Sequence, residues 1–250
     1  MSDSELVADG IRGRLICGLQ PVREAIRAHG PKLERIVVES ETDALQLQAL
    51  ARFARDQGIR VERQPRAYLD HMARGVRHQG AIAWAPALAL TALEELALGP
   101  STLIVALDEV QDPQNFGAVV RSAVALGATA VMWPEHRSAP LTPSMFRASA
   151  GGIEHATLCR VASLTAALDY LRSRDVCVIG LDMDGPYAID SVDLKSEACL
   201  VVGAEGKGLR KTIKSRCDSL ARLPMSGPLG SLNASVAVAI GLYEAVRQRG

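Results

Sequence analysis

Short unbroken runs of apolar residues alternate along this chain with stretches whose apolar positions recur every three to four residues. The first kind reads as buried strands, the second as helices with one face turned inward. In the first third, residues 21–29 put Val22, Ala25 and Ile26 on one helical face before Gly30-Pro31 ends the helix. Residues 43–57 do the same with Leu47, Leu50 and Phe53, and Gly58 stops them. Residues 66–72 read as a shorter helix, and 35–39, 59–62 and 81–85 as strands. Residues 1–13 carry no such rhythm and are expected to be disordered.

Pro86 and Pro100 bracket a stretch that reads as a linker, with one helical piece from Thr91. Beyond it, apolar runs at 103–108, 130–133, 156–161, 176–181, 198–202 and 222–225 are separated by helical patterns, among them 113–126, 144–150 and 163–174. That alternation makes a mostly parallel sheet with helices on both faces. The expected division is a small αβ domain over 14–85, a linker over 86–100, and a larger α/β domain over 101–250. The final helix is nearly all apolar from Ala234 to Leu242. A helix without a polar face has to be covered all round, here by its own sheet and by a second subunit.

Composition narrows this picture only a little. Aromatics are 4% of the chain against 48% hydrophobic residues overall, so the core must be Ala, Val, Leu and Ile. The 28 basic and 28 acidic residues cancel, which removes bulk charge as a pointer to nucleic acid. Locally the balance differs: residues 12–80 hold 13 Lys and Arg against 8 Asp and Glu. Lys207, Arg210, Lys211 and Lys214 follow a glycine-rich turn at helical spacing and read as one basic helix face. Such a face is either a solvated surface or a polyanion site.

The five cysteines form no C-x-x-C pair and have apolar neighbours, which reads as reduced, mostly buried thiols in a cytoplasmic protein. The five histidines are scattered, so no metal ion is expected. The first ten residues are acidic and lack an apolar core, unlike an export signal. The apolar stretch 81–93 contains Pro86 and falls short of the ~18–20 residues that span a bilayer, so no membrane association is expected.

Three segments carry the chemistry. In the first, a strand ends, Asp112-Pro113 offers a cap and a helix-starting proline, and Asn115, Gly117 and Arg121 follow. Alone, this is either a capped helix with a solvent-facing arginine or a phosphate-holding helix start. In the second, Gly203-Ala204-Glu205-Gly206-Lys207-Gly208 leaves an apolar run without the glycine spacing of a dinucleotide or phosphate loop, against a nucleotide-dependent oxidoreductase. The third runs Leu223-Pro224-Met225-Ser226-Gly227 and on to Ser231-Leu232-Asn233-Ala234-Ser235. Here Ser231 is a candidate helix cap and Asn233 a turn residue.

Taken together and in this order, the segments resemble the three motifs of the SpoU/TrmH class of RNA ribose 2′-O-methyltransferases. Asn115, Gly117 and Arg121 match the first motif, and Gly203, Glu205 and Gly206 the second. Pro224, Met225, Gly227, Ser231, Leu232, Asn233 and Ser235 match the third. The segment ICGLQPVREAIR, Tyr68-Leu69 and His78-Gln79-Gly80 resemble the N-terminal substrate domain of the branch that methylates guanosine in bacterial 23S rRNA. Two departures stand out: Ala234 where many relatives have Val, and Pro228-Leu229-Gly230 in place of a serine-rich approach to Ser231.

The resemblance implies a SPOUT-type α/β domain whose C-terminal segment forms a trefoil knot, and a homodimer. It implies S-adenosylmethionine held at Gly203, Leu223, Met225, Gly227 and Leu232, an rRNA substrate, and RNA contacts from Lys207, Arg210, Lys211 and Lys214. Arg121 is the implied key residue, with Asn115, Glu205, Ser231 and Asn233 orienting it and the ribose. A guanidinium stays protonated near neutral pH, so Arg121 is expected to pin a phosphate and polarise the 2′-hydroxyl rather than accept its proton. The remaining alternatives are a tRNA ribose methyltransferase and a catalytically silent RNA-binding relative.

Overall fold

A computed structural model describes residues 14–40, 44–228 and 230–250. The expectations placed on residues 1–13, Asp43 and Leu229 lie outside the described residues. In chain order the first elements are β1 (Arg14–Cys17), α1 (Leu19–His29), β2 (Arg35–Glu39), α2 (Leu45–Asp56), β3 (Val61–Gln64), α3 (Arg66–Ala73) and β4 (Ala81–Ala85). There follow β5 (Leu103–Asp108), α4 (Pro113–Ala125), β6 (Ala130–Pro134), α5 (Pro143–Ala148), β7 (Leu158–Val161), α6 (Leu164–Ser173) and β8 (Cys177–Leu181). The last are β9 (Tyr187–Ala188), β10 (Ala198–Gly203), α7 (Lys211–Lys214), β11 (Ser219–Arg222) and α8 (Ala234–Arg249).

The chain divides into two compact units. The first holds the residues up to Ala89 together with Thr142–His155; the second holds Leu90–Leu141 and Ala156–Gly250. The N-terminal unit therefore recruits α5 from far along the chain, which a linear division does not capture. The change of unit at Ala89 falls inside the stretch read as linker, and Leu93, Leu96 and Leu98 of that same stretch pack on the core of the second unit.

In the first unit the sheet order is β1-β4-β2-β3, antiparallel except for β2 against β3. Side chains alternate across it with the period of two that a strand imposes. Ile36, Val38, Ala81, Ala83 and Ala85 face α1 and α2. Val37, Ile82 and Trp84 join Leu69 of α3 in a second cluster. Covering on both faces explains why these strands read as unbroken apolar runs.

His78-Gln79-Gly80 builds the turn into β4. His78 Nδ1 accepts from the Gly80 N–H at 3.0 Å, which leaves the ring proton on Nε2 facing Asp70 Oδ1 at 2.8 Å. Gly80 has φ +79°, and a Cβ there would collide with the Leu47 side chain.

The Thr142–His155 excursion is held by charge. Glu154, with a side chain 1% exposed, takes both terminal nitrogens of Arg14 at 2.6 and 2.9 Å and His29 Nε2 at 2.8 Å. His155 faces Glu24 at 3.0 Å, and the Arg14 guanidinium lies 4.9 Å from the Phe146 ring centre.

The second unit is a seven-stranded sheet in the order β7-β6-β5-β10-β8-β11-β9, parallel at every pairing. Ile104, Ala106, Met132, Val178, Cys199 and Val201 form one face, packed under Leu164, Leu168 and Leu171 of α6 and Ile213 of α7. α4 and α8 pack on the other, where Phe116 meets Trp133 edge-on at 5.1 Å and Gly241 brings α8 against Leu181 and Leu200. Expected strand 222–225 is displaced to Ser219–Arg222, because Pro224 has no N–H to give a ladder and Leu220 and Ala221 pair with β8 instead.

Removing one partner of a buried ion pair leaves the other charge uncompensated. Glu154→Ala should therefore cost about 3–5 kcal/mol in urea unfolding of the full chain.

Candidate active site

The carboxyl ends of parallel strands are where open α/β sheets place their sites. At that edge β5 and β10 lie side by side with Gly203 opposite Asp108. β5 leads to α4, and β10 to the loop carrying Glu205. Asp112 caps α4 by accepting from the backbone N–H groups of Gln114 and Asn115, each at 3.1 Å, and Pro113 occupies its first turn. This start of the helix fixes Asn115 in its first turn with the side chain buried.

The Glu205 loop closes on itself. Ala204 and Gly208 form an antiparallel bridge, and the Gly208 N–H reaches the Ala204 carbonyl at 2.9 Å. Gly206 and Gly208 take φ +76° and +65°, and a Cβ on Gly203 would run into the Gly208 backbone. Those glycines make the tight return possible.

Asn115 is the meeting point. Its Nδ2 donates to Glu205 Oε2 at 3.1 Å, and its Oδ1 accepts from Asn233 Nδ2 at 2.8 Å. Asn233 in turn caps α8: its Oδ1 accepts from the Ser235 N–H at 2.8 Å and from the Ser235 hydroxyl at 2.6 Å. The capping role assigned to Ser231 thus belongs to Asn233, and Ser231 lies exposed two residues earlier.

Three of the five expected catalytic residues are thereby joined within one chain. Arg121 stands six residues beyond Asn115, about 240° further round the helix. It is exposed and outside that network.

Among the residues expected to hold a cofactor, Gly203 is buried, Leu223 and Leu232 are half-buried, and Met225 and Gly227 are exposed. The strand order sets the loops after β10, β8 and β11 next to one another. A Cβ added to Gly206, Gly227 or Gly230 would meet nothing within 4 Å, so open space lies against bare backbone there. The loop after β8, with exposed Met183, was missed in the sequence because no glycine motif marks it.

The basic stripe takes a different form from the one expected. α7 is a single turn, Lys211–Lys214, because the left-handed glycines at 206 and 208 keep Lys207 in the loop. Arg210 precedes the helix. Its backbone N–H, Nε and Nη2 reach the carboxylate of Asp108, whose side chain is fully buried, at 2.9, 2.7 and 2.6 Å. Its Nη1 lies 3.1 Å from Glu109 Oε1, which also meets Arg137. Bonding to Asp108 holds the Arg210 guanidinium above its ordinary pKa. Lys214 pairs with buried Asp182 at 2.6 Å, while Lys207 and Lys211 are exposed. Asp108 and Asp182 escaped sequence reading, since an acid at a strand end looks like any turn residue.

Burial pushes the thiols of Cys17 and Cys159 up to about 11 and Cys217 up to about 12, so none of these is poised as a nucleophile. Among the described residues no group of three or more His, Cys, Asp or Glu is placed to hold a metal ion. No described helix is long and apolar enough to cross a membrane.

Comparison with known proteins fits this geometry. The SpoU rRNA Methylase family matches residues 102–243, and the RNA 2′-O ribose methyltransferase substrate-binding family matches residues 15–89. An uncharacterized tRNA/rRNA methyltransferase of Mycobacterium ulcerans is 39% identical over 239 residues, covering 94% of this chain and 77% of its own. The 23S rRNA (guanosine-2′-O-)-methyltransferase RlmB of Xylella fastidiosa is 36% identical over 243 residues, covering 95% and 98%. The SpoU methyltransferase AviRb of Streptomyces viridochromogenes, solved in complex with AdoMet, superposes with a TM-score of 0.74 at 26% identity, covering 94% of this chain and 90% of its own.

The two jobs of Asn233 are separable. Asn233→Ala removes both the α8 cap and the donor to buried Asn115 and should cost about 2–4 kcal/mol in thermal or urea unfolding. Asn233→Ser keeps a capping oxygen and loses only the donor to Asn115, so it should cost about 1–3 kcal/mol, roughly 1 kcal/mol less than the alanine variant.

Proposed function

We propose, because this chain belongs to the SpoU rRNA methylase family, that it transfers a methyl group to the ribose 2′-hydroxyl of a guanosine in 23S rRNA. The chain is an RNA methyltransferase, and its cofactor is S-adenosylmethionine. The observation that carries the proposal is the Glu205–Asn115–Asn233 network, which ties together all three motif segments at one edge of the sheet. The guanosine and the large-subunit RNA are supported by likeness to the Xylella fastidiosa protein over nearly the full length of both chains.

Bound S-adenosylmethionine supplies a methyl group on a sulfonium, an electrophile that needs alignment more than activation. The open backbone at Gly206 and Gly227, with half-buried Leu223 and Leu232 and exposed Met225, suits a ligand of this mixed polarity. Gly203 would hold it from below the loop. The reading includes a C-terminal trefoil knot, and it is supported by a strand order in which β8 separates β10 from the β11 that follows it.

Arg121, exposed on α4, would clamp the phosphate next to the target ribose and polarise the 2′-hydroxyl. The proton would leave to that phosphate or to water. Asn115, Glu205 and Asn233 orient the reacting edge, and Ser231, exposed beside them in sequence, would meet the ribose. Lys207 and Lys211 would add RNA contacts, as would Lys214 to the extent that Asp182 leaves donors over, whereas the side-chain nitrogens of Arg210 are taken by Asp108 and Glu109. A cytoplasmic site of action follows from an rRNA substrate.

The working form would be a homodimer. α8 buries Val238, Leu242 and Ala245 but exposes Val236, Ile240, Tyr243 and Val246, an apolar stripe at helical spacing. A second copy of this chain is the occupant that the stripe supports, since a self-complementary patch is what a two-fold interface requires.

Mapping ribose methylation by mass spectrometry in rRNA and tRNA, with and without the protein, tests the whole reading. Loss of one guanosine methylation in large-subunit rRNA is expected, and a change confined to tRNA would overturn the substrate. Arg121→Ala should abolish methylation while calorimetry still finds S-adenosylmethionine binding within about two-fold of the parent, or ~0.4 kcal/mol. Tyr243→Glu should halve the mass measured by light scattering.

A further inference from the structure

The ion pairs at the base of the Glu205 loop lie outside every motif segment used so far. Asp108 is the last residue of β5 and sits directly opposite Gly203, the last residue of β10. From Asp108 the chain needs only Glu109–Asp112 to reach α4, whose third residue is Asn115; from Gly203 only Ala204 stands before Glu205. The roots of the two loops whose tips meet at Asn115 and Glu205 are thus neighbours.

Arg210 ties those roots together. It is the residue at which the Glu205 loop rejoins the body of the unit, next to buried Leu209. It gives its backbone N–H and two side-chain nitrogens to the Asp108 carboxylate and its remaining terminal nitrogen to Glu109. Glu109 has φ +58° and Arg137, its other partner, φ +60°, a left-handed backbone that L-residues seldom hold. From Glu205 to Gly208 every residue of the loop is exposed, so little packing fixes its tip.

We propose that Arg210 is a positioning residue for methyl transfer, which rests on the function proposed above. Clamped onto Asp108 and Glu109, it sets the height of the Glu205 loop against α4, so that the Asn115 amide meets the Glu205 carboxylate. Its charge is spent inside the protein rather than on RNA. Asp108, fully buried, cannot touch RNA and is the other half of the clamp.

The test uses the full chain, a 23S rRNA transcript and S-adenosylmethionine, with Arg210→Gln, Asp108→Asn and the double variant. The clamp predicts that each single variant lowers kcat at least ten-fold at saturating RNA. It also predicts an RNA dissociation constant within two-fold of the parent and an unchanged salt slope. The double variant should be no worse than the poorer single one, because both remove the same interaction.

An RNA-contacting arginine gives the opposite split: Arg210→Gln would weaken RNA binding and lower the salt slope by about one, with kcat at saturation preserved. That result overturns the inference, as do a parent-like kcat in both single variants and multiplying losses in the double. Should Asp108→Asn fail to fold, the kcat-against-binding split of Arg210→Gln decides alone. A parent chain that methylates no RNA would instead bring down the functional reading itself.

Discussion

One primary amide holds the candidate site together. Asn115 must donate to Glu205 and accept from Asn233 at the same time, which no carboxylate or ammonium can do. Its position follows from the cap at Asp112 and from Pro113, and its partners are placed by two other segments of the chain. Because the amide is buried, either bond left unmade would expose it to the desolvation cost of an unsatisfied polar group. The requirement for an asparagine at 115 is therefore structural as much as chemical.

The three partners come from three kinds of local order. Asn115 stands on a helix, Asn233 at a helix cap, and Glu205 on a loop closed by two left-handed glycines. Rigid elements supply two corners, and the third depends on how the loop is rooted. At the far end of α8, Arg249 donates to the carbonyls of Ser101, Thr102, Leu194 and Ser196. Gln248 also exchanges hydrogen bonds with Val192 and Leu194. The helix is pinned beyond its cap as well, so Asn233 is presented from a fixed post.

Much of this was readable in the residues. The strands at 35–39, 81–85 and 103–108 have bounds that apolar runs mark without ambiguity, and both long helices of the first unit show their buried faces in their spacing. What escaped has physical causes. β9 is two residues long, too short for periodicity to register. Lys207 to Lys214 have helical spacing, but left-handed Gly206 just before the stretch and Gly208 within it are bent the wrong way for a helix, and a charge pattern alone does not reveal buried Asp108 and Asp182 beneath it. The motif residues could each be picked out by resemblance. That one amide joins them depends on β5 lying in register with β10, a fact of pairing and not of composition.

The recruitment of Thr142–His155 into the N-terminal unit bears on how this protein can be taken apart. Two units joined by a single tether can be exchanged like beads on a string. Here the backbone crosses between them three times, at 89/90, 141/142 and 155/156. A fragment cut after Ala89 would carry Arg14 and His29 but not the Glu154 that pairs with them. Modular swapping of the substrate-binding half would have to carry an internal insert along with it, so the two halves of this chain are bound to change as a pair.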